Sequence, residues 1–333
     1  MYEILGISLM LAALLAINAG ASFATIACWW VLESPARLWS ARARSRFLFA
    51  LRFGPPAGAF ICVTLLLIPS YLVYEPHATA EVVGKKLGTI ALLSAFGLAL
   101  ALWRGISSWL ATRTLLKQWL AASQPIPIAG IGVESFRIAH GFPVIAVVGT
   151  IRPRLFVASH VLDSLSEEEL RAAVAHECGH LAARDNLKRA LIRVCRDLLA
   201  LVPCGRTVDR AWAESAEAAA DEYAAGCGRG TALNLASALI KIARLVPSGA
   251  RPMMPAAAFL IGDATDGVMG RVRRLIELSS VGIGKPQRET ESVSWAGRTV
   301  WFLLLAIAVL ALINSPVLAS FHSVMERVVQ FLD

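Results

Sequence analysis

The feature that most constrains this chain is an uncharged run from Ile4 to Leu32, held between Glu3 and Glu33. Crossing about 30 Å of hydrocarbon takes about 20 mostly apolar residues, so this run is long enough to span a bilayer. Three more stretches read the same way. Phe53 to Tyr74 is uncharged, with Pro55 and Pro56 close to its start. Leu87 to Trp103 lies between Lys86 and Arg104, and is short for a span unless Arg104 snorkels to the headgroups. Thr299 to Phe321 is the last. The first run lacks a basic n-region and is too long for a signal peptide, so it reads as a span and not as a cleaved leader. Of the 333 residues, 56% are hydrophobic and only 17% charged, which excludes an ordinary soluble domain. The chain also lacks the long charged tracts, Gly-x-y period or heptads of disordered, collagen-like or coiled-coil proteins. The expectation is a multi-pass protein of a cell (inner) membrane.

Charge sets the expected orientation. Lys and Arg outnumber Asp and Glu by 32 to 24, a net charge of +8. That surplus alone would suit nucleic acid, but its placement points elsewhere. The connection after the first run holds Arg37, Arg42, Arg44, Arg46 and Arg52, while Glu75 to Lys86 is balanced. Arg104, Arg113 and Lys117 follow the third run. The positive-inside rule then puts the first loop and the long section after the third run in the cytoplasm, and both termini outside. Topology accounts for the basic surplus, so no direct nucleic-acid binding is expected. Six irregularly spaced cysteines do not make a disulfide scaffold and suit a reducing compartment.

Four units follow. Residues 1–103 carry three transmembrane helices (about 4–32, 53–74 and 87–103), and residues 104–298 a cytoplasmic α+β domain. Residues 299–321 form a fourth helix, and 322–333 a short external tail. In the long section, Trp109 to Ser123 continues the third span as helix. Ile126 to Gly132, Val144 to Gly149 and Arg154 to Ala158 read as two or three short antiparallel strands. Ser166 and Glu169 form a capping box that starts a helix running past His180. Further helices are expected over Asn186 to Leu201, Asp209 to Ala225 with Gly226 as its C-cap, Thr231 to Leu245 and Met269 to Leu278. Arg251 to Asp266 reads as loop. The fold class is thus a mainly α membrane protein with a small antiparallel sheet.

The chemistry lies in His176-Glu177-Cys178-Gly179-His180. On a helix, residues four apart stand one turn apart on one face, as two imidazoles must to share a metal. Glu177 sits beside them, placed to take a proton from a metal-bound water. A catalytic site needs a third protein ligand and an open position. Glu214, Glu217 and Asp221 lie near one face of a later, alanine-rich helix. Glu217 is the chosen ligand, with Asp221 holding the far ring N–H of a histidine. The expected cofactor is one Zn2+ per chain.

His176-Glu177-x-x-His180, the following Leu181-Ala182-Ala183-Arg184-Asp185-Asn186-Leu187, and Glu217-x-x-x-Asp221 resemble the integral-membrane zinc peptidases of the BlaR/MecR type. More distantly they resemble the HtpX-like membrane proteases. Arg152 to Ala158 and the approach through Leu162 and Ser166 are similar to the strand and entry that precede the active helix there. The resemblance implies a zincin-like gluzincin: zinc on His176, His180 and Glu217, Glu177 as general base, and Asp185 as a capping or supporting acid. One departure stands out. The BlaR/MecR sensors carry a penicillin-binding domain after the last span, where this sequence has only His322 to Asp333.

The expected activity is a membrane-embedded zinc endopeptidase that cleaves protein or peptide substrates at the cytoplasmic face, including a cytoplasmic repressor. The alternatives are HtpX-like quality control of membrane proteins and a non-catalytic zinc-binding signalling scaffold. A transporter is excluded by the lack of paired repeats and of ionisable residues within the spans. A substrate is expected to pair with one of the short strands, Val144 to Val148 first. Cys178 reads as a packing residue, and His140 and His160 as structural. Tyr223 is turned away from Glu217 by helical spacing. Arg271, Arg273 and Arg274 read as a solvated basic helix face, and Met253-Met254 as a loop over the cleft or core filling.

Overall fold

The computed structural model describes residues 2–76, 83–128, 130–199, 205–246, 265–280, 303–304, 306–307 and 315–332. It is mostly helical. Helix α1 covers Tyr2–Ala36. Ser40 then caps α2, Ala41–Cys62, its hydroxyl accepting from the Ala43 N–H at 3.3 Å. A π-turn over Val63–Leu67 leads directly into α3, Ile68–Tyr74. The turn has a local cause. Pro69 has no N–H for the Leu65 carbonyl and its ring would collide with it, and the Ile68 N–H reaches back to Val63 instead. Helix α4, Lys85–Ala121, joins the third expected span and its continuation into one rod. The described residues thus hold three helical rods long and apolar enough to cross a membrane, 2–36, 41–74 and 85–121. Arg104 lies within α4, half-exposed, and its Nη1 is 2.8 Å from Asp197 Oδ1.

The small sheet is mixed, not antiparallel. Strands β1 (Ser123–Pro125), β2 (Ser135–Ile138), β3 (Ile145–Val148) and β4 (Arg154–Ala158) lie in the order β1-β2-β4-β3. Among the described residues of the expected strand over 126–132 none is in a strand; β1 and β2 flank that stretch. The β2–β3 connection carries the chain past β4 to its far side, so β2 and β4 run parallel. Pro125 lies on edge strand β1, where a missing N–H costs least.

Helices α5 (Ser159–Ser164), α6 (Glu167–Ala183), α7 (Asp185–Leu198), α8 (Arg206–Ala225), α9 (Thr231–Leu245) and α10 (Thr265–Ser280) follow. Helix α9 has the expected bounds, and α8 starts three residues before its expected start at Asp209. Gly226 does cap α8, but with φ of −74° and not in the left-handed conformation. The expected end of α7 at Leu201, the loop over 251–264 with Met253-Met254, and residues 299–302, 305 and 308–314 of the fourth span lie outside the described residues. Helix α11, Ser315–Leu332, includes most of the segment expected as a tail.

One core joins the sheet to α6, α9 and α10 through Leu155, Phe156, Ala172, Leu235, Leu239 and Leu275. Trp119, near the end of α4, packs edge-on against Phe156 at 5.1 Å. A second contact ties α7 and α8 to the long rods. Trp29, Leu48, Ile192, Val208 and Trp212 form one buried cluster, and buried Arg52 on α2 pairs with Asp209 on α8 at 2.7 Å.

Candidate metal centre

The site begins with the start of α6. The Glu169 N–H donates to Ser166 Oγ at 3.3 Å, and Glu169 Oε2 accepts from the Ser166 N–H at 2.8 Å. Once started there, α6 carries His176 and His180 one turn apart, with their Nε2 atoms 3.2 Å from each other. His176 is 0% exposed and Glu177 is buried. Helix α8 can come close because Gly179 has no side chain. A Cβ there would stand 3.0 Å from Ala220 Cα and 3.2 Å from Tyr223 Cβ. That approach brings Glu217 into the cluster: its Oε2 is 3.6 Å from His176 Nε2 and its Oε1 3.5 Å from His180 Nε2. Glu214, on the same helix, remains exposed.

Each imidazole is held from behind. His176 Nδ1 lies 2.9 Å from Asp221 Oδ1, and His180 Nδ1 lies 2.8 Å from Asp185 Oδ2. A single left-handed residue makes the second contact. Arg184, with φ of 55°, separates α6 from α7 and turns Asp185 back toward His180 as the first residue of α7. Non-glycine residues rarely take this conformation. With a carboxylate beside each Nδ1, both Nε2 atoms are turned toward one another and toward Glu217.

The electrostatics follow from burial among opposite charges. Burial alone would lower the His180 pKa, but Glu217 and Asp185 outweigh it and bring it to about 10. Burial would raise Glu217 and Asp221. The neighbouring imidazoles and Arg271 reverse this, leaving Glu217 well below its ordinary value and Asp221 at about 2. Glu177 differs: burial dominates and pushes its pKa up despite both histidines. Its Oε2 accepts from the Val147 N–H of β3 at 3.3 Å.

Sequence reasoning missed two arginines. Arg271 is expected on a solvated face, but its side chain, 14% exposed, is turned into the site. Its Nε and Nη2 are 3.0 and 2.6 Å from the Asp221 carboxylate oxygens, and its Nη1 is 3.4 Å from Glu217 Oε2. Spacing carried the signal, because 271 falls between buried Val268 and Leu275 on one face of α10. Its neighbour Arg274 pairs with Glu222. Arg189 on α7 donates to Glu217 Oε1 at 2.9 Å. The residues read as bystanders lie apart: Cys178 Sγ is 3.6 Å from the Gly130 carbonyl, and His140 stacks beside Trp119.

Beside the cluster opens a cleft of about 360 Å³, lined by Val147, Gly149, Glu177, His180, Asn186 and Arg189 among others. Its upper wall is the free edge of β3. The Val144–Ala158 hydrogen bond sets an alternation in which Val147 points both backbone groups away from β4. Glu177 takes the Val147 N–H, and Asn186 Nδ2 donates to the carbonyls of Val147 and Gly149 at 3.0 and 3.2 Å.

The donor set fits a divalent metal. Two imidazole nitrogens and a carboxylate oxygen lie within 4.8 Å of one another. Glu217 Oε2 is buried without a hydrogen bond, with Arg271 Nη1 3.4 Å and His176 Nε2 3.6 Å away. Residues 146–265 match Peptidase family M48. The matched segment runs from β3 to the first residue of α10, and includes His176, Glu177, His180, Asp185, Glu217 and Asp221. The match supports a metallopeptidase reading of this segment. No curated protein matches the chain.

Proposed function

We propose that this chain is a membrane-embedded, zinc-dependent endopeptidase working at the cytoplasmic face. The observation that carries the reading is the convergence of two imidazole nitrogens and a Glu217 carboxylate oxygen beside the buried Glu177. His176, His180 and Glu217 hold the metal. Bound there, zinc polarises the scissile carbonyl and lowers the pKa of a water to about 7.

The chain's own residues do the rest. Asp221 and Asp185 keep each imidazole in the tautomer that aims Nε2 at the centre. Glu177 takes a proton from the attacking water and passes it to the leaving amine. Burial raises its pKa, the direction that helps a group hold the proton it takes. A substrate strand lies along β3, the free edge of the sheet, in the cleft beneath Val147 and Gly149. The Asn186 amide stands where a substrate amide would approach these carbonyls, and each oxygen keeps a second lone pair.

Two biological roles suit this chemistry. The BlaR/MecR resemblance favours regulated cleavage of a cytoplasmic repressor. The packing of α7 and α8 directly on the long apolar rods favours the second, quality control of membrane proteins, because it seats the peptidase against the bilayer. A non-catalytic zinc scaffold has no use for a buried Glu177, and would close its site with four protein ligands.

Comparing protein N-termini in cells carrying wild type or Glu177→Ala tests all three. Ends unique to wild type in a soluble DNA-binding protein support repressor cleavage, and ends spread over many membrane proteins support quality control. Identical profiles, with expression and zinc occupancy equal, rule out the peptidase.

A further inference from the structure

Peptide hydrolysis puts negative charge on the scissile carbonyl oxygen, and a preorganised donor at that point is commonly worth a factor of 100 to 1,000 in rate. We propose that Arg189 is that donor, an inference that rests on the peptidase reading above. Of the two arginines beside Glu217, Arg271 is held by two hydrogen bonds to Asp221, on the His176 side, and does not line the cleft. Arg189 approaches Glu217 from α7, lines the cleft with Glu177 and His180, and is 19% exposed. Among the described residues its hydrogen-bond partner is Glu217, which engages one nitrogen of a five-donor fork.

Two other donors on the cleft wall are placed less well. Asn186 is committed to the Val147 and Gly149 carbonyls, and Arg184 is the exposed hinge residue between α6 and α7. Tyr223 does not line the cleft.

The step balances without further reactants. Water oxygen bonds to the carbonyl carbon while Glu177 takes one of its protons, and the carbonyl π pair moves onto oxygen. Arg189 N–H groups donate to that oxygen. The pair then returns, the C–N bond breaks, and the amine leaves with the proton Glu177 carried. Arg189 is charged throughout and moves no proton. It strengthens an interaction that the neutral carbonyl makes weakly, so it acts on the transition state more than on bound substrate.

The test uses the full chain in lipid nanodiscs, loaded with zinc. A quenched-fluorescent peptide library yields a cleaved sequence, and a phosphinic analogue of that peptide mimics the tetrahedral state. Arg189→Gln should lower kcat about 100-fold with KM within about threefold, and weaken the phosphinic analogue by a matching factor. Zinc affinity, read by competition with a chromophoric chelator, should stay within about threefold, and Arg189→Lys should recover about tenfold of the rate. Unchanged kcat and analogue affinity would overturn the proposal. So would a rate loss matched by a loss of zinc affinity, which would make Arg189 only a holder of Glu217. If wild type cleaves no peptide at all, the peptidase reading fails first.

Discussion

Asp221 and Arg271 meet through two hydrogen bonds, and the Asp221 oxygen that lies 2.6 Å from Arg271 also lies 2.9 Å from His176 Nδ1. One buried carboxylate therefore fixes a candidate metal ligand and anchors α10 to the centre. Asp221→Asn keeps the shape but removes the charge that holds the imidazole, and should cost 10–100-fold in zinc affinity. Arg271→Met should destabilise the fold by about 3 kcal/mol, because it strands a buried carboxylate. Chelator competition and thermal unfolding check the two. A loss within 0.5 kcal/mol, ordinary for a surface residue, would contradict the inward placement of Arg271.

The geometry also depends on one glycine. Gly179→Ala places a Cβ 3.0 Å from Ala220 Cα, on backbone that cannot rotate away. Helices α6 and α8 should part by a few tenths of an ångström, at a cost of about 1–3 kcal/mol. Glu217 would withdraw from the histidines and zinc affinity would fall, while circular dichroism stays helical. Undiminished zinc affinity in this variant would show that the close approach is dispensable.

Acid stability should depend on Glu169. Burial raises its pKa, but Lys241, Ser237 and the Ser166 N–H outweigh this and hold it below the ordinary 4.5. A carboxylate with a depressed folded-state pKa stabilises the fold above its unfolded value, and loses that contribution as pH falls through the folded one. The wild type should therefore lose stability below about pH 4.5. Glu169→Gln should be about 1–2 kcal/mol less stable at pH 7, with a flatter profile through the acid window. Thermal melts from neutral to acid pH read both effects.

The peptidase helices are anchored to the second rod by Arg52, 4% exposed, and Asp209. Asp209→Asn leaves a buried guanidinium without its countercharge and should cost about 3–5 kcal/mol. The double change Arg52→Met with Asp209→Leu should cost less than that single change. If the double change costs as much as the two single changes added together, the pair is not coupled.

The parts of this account legible in sequence are those set by local spacing. The capping box at Ser166 and Glu169, the one-turn separation of His176 and His180, and the bounds of α9 depend on residues within a turn or two. The apolar stretches of the three rods follow from composition, but the second rod begins at Ala41, within the basic connection expected after the first span. What was not legible depends on contacts between distant segments. The mixed sheet arises because β2 and β3 lie on opposite sides of β4, which no strand pattern encodes. Asp185 reaches His180 only through the left-handed turn at Arg184, an unusual conformation for arginine. Arg189 and Arg271 look like ordinary basic helix residues until α7, α8 and α10 converge on Glu217.

His176, His180 and Glu217 are proposed to hold one metal that Glu177 uses and does not bind. Elemental analysis of purified wild type, Glu177→Ala and the His176→Ala/His180→Ala double variant, with peptide cleavage measured in parallel, tests it directly. The account predicts one zinc per chain in wild type and in Glu177→Ala, cleavage by wild type alone, and no zinc in the double variant. Zinc retained at one per chain in the folded double variant, or undiminished cleavage by Glu177→Ala, would contradict it.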